Sequence, residues 1–247
     1  MAVDIEWRAE PEPSSLSKGD VDIWFVFLGM PVTGSPERLL ADDERKRAAR
    51  FHLQRDRRWY IAAHASLRRI LGRYLDKDPS RIQFDYGKNG KPHLSCENDT
   101  DGLCFNLSCS HGIALIAVTR GLEVGVDVER IEADVDIERM AERFFSARER
   151  EAVTSLPEAR RREAFFACWT LKEAYVKAIG AGLSVAPESF DVSAGLTGTP
   201  ARLTCESEAL SQTQWVIQRI ASPAGYQSAL ALNDYPYRVR YGQWRDG

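Results

Sequence analysis

The feature that most constrains this chain lies near its centre, where 112–119 (GIALIAVT) and 124–129 (VGVDVE) flank the turn signal Arg120-Gly121. Both stretches are short, apolar and rich in β-branched residues, the signature of strands joined by a tight turn. The order of elements on the two sides is similar. Before the turn, 21–28 (VDIWFVFL) is a strand, a helical region follows, and short strands at 82–86 and 103–107 lead on. After it come helices at 137–144, 147–156 and about 160–179, the last closed by Gly180 and Gly182, then a strand-like tail from residue 190 that includes 215–220 and 227–232. The pattern predicts an α+β fold of two halves, 1–122 and 123–247, without a sequence repeat between them.

In the first helical region, Ser35-Pro36 is a start signal, and Asp42, Asp43 and Glu44 suit a helix N-terminus. From Trp59, the positions Ala63, Leu67, Ile70, Leu71 and Tyr74 recur at three and four, which is one apolar helix face with arginines on the other. Net charge is −3, yet residues 45–73 hold ten Lys and Arg against one acid, Asp56. Such asymmetry points to an anionic partner: nucleic acid, a phosphorylated small molecule or an acidic protein. The sequence pI of about 5.9 counts against nucleic acid.

No apolar run approaches the roughly 20 residues that cross a bilayer, so no membrane partner is expected. Asp4, Glu6, Glu10 and Glu12 near the N-terminus are unlike a secretory leader. The five cysteines are irregularly spaced without a C-x-x-C pair, which suggests neither zinc nor a disulfide framework and predicts a reducing cytoplasm.

Asp127 and Glu129 stand two apart in VGVDVE, so on a strand both carboxylates project from one face while Val126 and Val128 face the core. Hard oxygen ligands of this kind suit Mg²⁺, which commonly bridges substrate phosphates; alone, a D-x-E is more often a strand with a wet polar face. Glu173 and Lys177 lie four apart on one helix face with Trp169. Alone they are an ordinary exposed pair; functionally they are a third metal ligand and a cation beside phosphates. In 105–111 (FNLSCSH) a strand runs into small hydroxyl residues, either a plain serine-rich turn or a phosphate-binding one. A Ser-His-Asp hydrolase is excluded: there is no G-x-S-x-G elbow, and adjacent Ser110 and His111 cannot act as nucleophile and base.

Taken in order, FNLSCS, VGVDVE, RFFSARE and FFACWTLKEAYVKAIGAGLS strongly resemble the phosphopantetheinyl transferases of the surfactin-synthetase-activating type. The motifs cover about residues 84–193, and a weaker match runs back through ERKRAARFHLQRDRR and YGKNGKPHL. The resemblance implies a monomer of two similar α+β halves with coenzyme A in the cleft between them. It implies transfer of the phosphopantetheine arm to a serine of an acidic apo carrier protein, with release of 3′,5′-ADP and dependence on Mg²⁺. By the same resemblance Asp127, Glu129 and Glu173 match the metal ligands, and Lys177 the lysine near the diphosphate. Glu149 matches a glutamate proposed as the base, a role that a water oriented by Glu173 could also fill. Arg47, Arg55, Lys91 and Ser108 match positions that hold CoA phosphates. Cys109 stands where the family usually has His, a departure that raises the alternative of a non-catalytic CoA-binding relative; a nucleic-acid module built on the basic helix is the other.

Overall fold

The computed structural model describes residues 11–30, 33–96, 102–205 and 214–245; Asp4, Glu6 and Glu10 lie outside them. In chain order the elements are β1 (Asp20–Phe27), α1 (Asp42–Ala48), α2 (Gln54–Leu75), β2 (Phe84–Tyr86), β3 (Pro92–Leu94), β4 (Leu103–Ser110), β5 (Ile113–Arg120), β6 (Val124–Arg130), α3 (Ile137–Phe144), α4 (Ala147–Thr154), α5 (Glu158–Ala178), β7 (Phe190–Asp191), β8 (Ala201–Arg202), β9 (Thr204–Cys205), β10 (Val216–Arg219), β11 (Tyr226–Leu232) and β12 (Arg238–Trp244). One four-stranded sheet has the order β12-β1-β5-β4 and a second β6-β11-β10-β8. The strands at 112–119 and 124–129 thus belong to different sheets, and the Arg120-Gly121 turn carries the chain from one to the other.

The sheets stack face to face. Ile23, Phe25, Leu115 and Ala117 of the first meet Val124, Val126, Val128 and Leu230 of the second in one apolar layer. Helix α2 covers the outer face of the first sheet through Leu67, Ile70 and Leu71 against Trp24 and Ile116. Helix α5 covers the second through Leu171, Ala174 and Tyr175 against Ala229 and Ala231. Each sheet is buried on both faces, which is why β1 and β5 read as continuous apolar runs rather than alternating ones.

Three local features differ from the sequence expectation. The helical region opens later than Ser35-Pro36, which forms only a short 3-10 turn at Pro36–Arg38; α1 starts at Asp42, where Glu44 Oε2 accepts from Ala41 N–H at 2.7 Å. Strand β4 continues to Ser110, because its polar side chains are satisfied along the edge of β6 instead of ending the strand. The last strand, β12, pairs parallel with β1, so the chain's end returns to the sheet of the N-terminal half. Its sequence hides a strand behind two arginines. Arg238 bonds Asp20 (3.0 Å) and Arg240 bonds the fully buried Asp22 (2.5 Å). Tyr74 of α2 donates to the same Asp22 at 2.6 Å and accepts from Trp24 Nε1–H.

Candidate active site

The two sheets meet edge to edge at β4 and β6, and side chains make the seam. Asn106 Oδ1 accepts from Val126 N–H (2.9 Å), Ser108 Oγ from Val128 N–H (3.3 Å) and Ser110 Oγ from Arg130 N–H (3.2 Å). Three residues at a spacing of two therefore replace a backbone ladder. The two hydroxyls also donate: Ser108 to Asp127 Oδ1 at 2.8 Å and Ser110 to Glu129 Oε2 at 2.8 Å. Each serine thus ties the second strand down and aims one of its carboxylates.

Helix α5 closes the site from above. It lies on β6 so closely that a Cβ on Gly125 would stand 2.0 Å from the Ala174 carbonyl oxygen and 2.4 Å from Ala178 N. That approach brings Lys177 Nζ to 2.6 Å from Asp127 Oδ1 and 2.7 Å from Ser108 Oγ. Glu173 lies one turn before Lys177 on the same helix, and half-buried.

The electrostatics are those of crowded carboxylates. Asp127 is only 1 % exposed, and its Oδ2 is buried without a hydrogen-bond partner. Burial and the Asp127 charge push Glu129 up to about 7, against the pull of Ser110 and Lys177. Glu173 is likewise raised by burial and by Asp127, with Lys177 opposing. For Lys177, burial works against the charged form, but Asp127 and Glu173 outweigh it and hold its ammonium above the usual lysine range. Three carboxylates and one ammonium leave negative charge uncompensated in a partly buried site. The donors are all hard oxygens, and the orphaned Asp127 Oδ2 fits a cation ligand. Among the described residues no three His, Cys, Asp or Glu side chains form a ready-made metal cage; Mg²⁺ is usually held by one or two carboxylates, with substrate phosphates and water completing its shell, and Lys177 supplies positive charge at Asp127.

The other sequence-predicted residues are distributed around this centre. Arg47 and Cys109 line one cleft of about 660 Å³ between α1, α2 and β4. Arg55 lies over the Trp59 ring at 4.7 Å and lines a separate cleft with Met30 and Arg58. Lys91, from the β2–β3 turn, bonds Glu123 (2.7 Å) and the Ala178 carbonyl (2.6 Å), latching that turn to the end of α5. Glu149 is not brought to the carboxylates. It is fully buried, with Oε1 accepting from Lys172 Nζ (2.6 Å) and Val192 N–H (2.8 Å) and Oε2 from Ser146 N–H (2.7 Å). His111, at a positive φ of 44° in the β4–β5 turn, points to Glu132 at 2.9 Å. Sequence reasoning missed the seam role of Asn106 and Ser110; their period-two spacing with Ser108 was the available signal.

The family described as the 4'-phosphopantetheinyl transferase superfamily matches residues 123–232, and the 4'-phosphopantetheinyl transferase N-terminal family matches 36–120. The chain is 38% identical over 200 residues to 4'-phosphopantetheinyl transferase HetI of Nostoc sp., covering 80% of this chain and 83% of that protein. It is 30% identical over 193 residues to 4'-phosphopantetheinyl transferase psf-1 of Bacillus pumilus, 76% of each chain. A vertebrate relative, the L-aminoadipate-semialdehyde dehydrogenase-phosphopantetheinyl transferase of Xenopus laevis, is 26% identical over 214 residues, covering 80% of this chain and 69% of the relative. The two matched segments divide where the chain passes from β5 to β6, and the seam joins Asn106, Ser108 and Ser110 of the first to Val126, Val128 and Arg130 of the second. The chain belongs to the 4'-phosphopantetheinyl transferase superfamily.

Proposed function

We propose that the protein transfers the 4'-phosphopantetheine arm of coenzyme A to a serine of an apo carrier protein, releasing 3′,5′-ADP. The observation that carries this reading is the junction of Asp127, Ser108 and Lys177, with Glu129 and Glu173 beside it, at the seam between the two halves. Asp127, Glu129 and Glu173 would hold Mg²⁺, which when bound neutralises the CoA diphosphate and fixes its orientation. The serine oxygen of the carrier forms a bond to the phosphorus that bears pantetheine, and the bond from that phosphorus to the ADP oxygen breaks.

Lys177 is the group placed to stabilise the departing ADP oxygen, its charge maintained by Asp127. We propose that the serine proton passes to a water oriented by Glu173, since both oxygens of Glu149 are already engaged by Lys172, Val192 and Ser146. Arg47, Arg55, Lys91, Ser108 and Cys109 are proposed to line the path of the CoA phosphates. The basic segment would also attract an acidic carrier. No helix among the described residues is long and apolar enough to cross a membrane; we propose a monomer working in a reducing cytoplasm, where Cys96, Cys109 and Cys168 remain free thiols.

The test is incubation with CoA, Mg²⁺ and several apo carriers, followed by intact-mass measurement. Gain of the phosphopantetheine mass on a carrier serine supports the assignment; CoA binding with no mass gain on any carrier would leave only a CoA-binding protein.

A further inference from the structure

The Arg47 cleft contains a histidine to which no role has been given. His64, on α2, is 21 % exposed and stacks on Tyr60 with ring centroids 4.0 Å apart. Its Nδ1 lies 3.0 Å from Glu44 Oε1. Glu44 is 2 % exposed, and its other oxygen takes Arg68 Nε–H and Ala41 N–H, both at 2.7 Å. Burial raises the Glu44 carboxyl, but its bonds to His64 and Ala41 and the charge of Arg68 outweigh burial and hold it below the usual carboxylate range. Glu44 is therefore an ionised acceptor, so Nδ1 carries the hydrogen and the second ring nitrogen is left for the cleft. Nε2 is an acceptor in the neutral ring and a donor only when the ring is protonated.

We propose that His64 is an anion-binding residue: protonated as ligand enters, it donates from Nε2 to a phosphate of the nucleotide held between Lys46, Arg47 and Arg50. The charge balance gives the direction. Glu44 is bonded by Arg68, and Lys46, Arg47 and Arg50 line the cleft around the ring. A phosphate entering among these groups favours the protonated ring, so proton uptake is the expected signature of binding. The other charged or titratable groups facing it are Asp43, Lys46, Arg47 and Arg50 on and after α1, Tyr60 and Arg68 on α2, Tyr86 on β2 and Cys109 on β4. Tyr60 is pushed up to about 12, chiefly by burial, and Tyr86 donates to Asp43, so neither phenol ionises near neutral pH. CoA affinity should fall as pH rises and the ring loses its proton.

The inference rests on CoA being the ligand. Calorimetric titration with CoA in buffers of different ionisation enthalpy, without carrier, tests it. In His64→Asn the amide nitrogen can still reach Glu44, as Nδ1 does, but nothing reaches the phosphate; in His64→Gln a neutral donor stands near the place of Nε2. His64→Asn should bind CoA about tenfold more weakly than wild type and take up fewer protons. His64→Gln should recover part of the affinity without the proton uptake, and it carries the test should His64→Asn fail to fold. Wild-type affinity and unchanged proton uptake in a folded variant would overturn the role of His64 alone. Failure of wild type to bind CoA would overturn the functional assignment and this inference with it.

Discussion

The two glutamates that flank this chemistry behave differently because their partners differ. Glu173 is half-buried and shares its surroundings with Asp127 and Lys177, so its carboxyl is raised without being locked. Glu149 is raised by burial too, but Lys172 and two backbone N–H groups offset much of that cost. In sequence both are acids on helices within recognisable motifs; nothing in one dimension says that Lys172, the neighbour of Glu173, turns away from the site to meet Glu149. Glu149→Gln leaves the Lys172 ammonium buried without its counter-charge. Urea denaturation should show a loss of about 3 kcal/mol, while the transfer rate of the folded protein stays close to wild type. A large fall in that rate at unchanged stability would return Glu149 to the chemistry.

At the scale of elements, the candidate site is where the edges of β4 and β6 meet one helix, and Gly125 sets the spacing between β6 and α5. With any side chain there, α5 must lift from β6, which would carry Lys177 and Glu173 away from Asp127. Gly125→Ala should cost about 3 kcal/mol in chemical denaturation and lower the transfer rate even in the fraction that folds. An unperturbed melting curve with full activity would mean that the close packing has no part in placing the site. The carboxylates themselves were legible because a strand's period of two puts Asp127 and Glu129 on one face whatever the fold. The helix face of Glu173 and Lys177 was legible for the same kind of reason. The seam was not, since Asn106, Ser108 and Ser110 look like the end of a strand until a second strand supplies N–H groups for them. Strand β12 was hidden too, because Arg238 and Arg240 appear solvated until Asp20 and Asp22 are found beside them, 218 residues away in the chain.

The whole molecule is stapled by carboxylates whose partners are distant in sequence. Asp20 is held below its ordinary value mainly by the hydrogen bond from Arg238, and Glu44 and Asp191 are also depressed despite their burial. A carboxyl depressed in the folded state binds protons more readily when unfolded. Its contribution is therefore complete above the unfolded value of about 4 and is lost as pH falls through the lower folded value. Thermal unfolding followed from pH 7 to about pH 3 should show stability declining on the acid side of about pH 4 to 5, and Asp20→Asn should flatten that limb. An acid limb unchanged by Asp20→Asn would mean that the ion pair to β12 contributes nothing to holding the chain's end in place.

The junction of β4, β6 and α5 is where the reaction is proposed to occur. Asp127 touches all of its parts: the seam serine, the helix lysine and, through charge, both glutamates. Asp127→Asn keeps the shape and the acceptor for Ser108 and Lys177 while removing the negative charge. The direct measurement is single-turnover transfer of the arm from CoA to an apo carrier in the presence of Mg²⁺, with wild type and Asp127→Asn compared at equal folded concentration. Transfer should fall by about a thousandfold or more in the variant, with its melting temperature retained; transfer within about tenfold of wild type would contradict the assignment and move the chemistry elsewhere in the molecule.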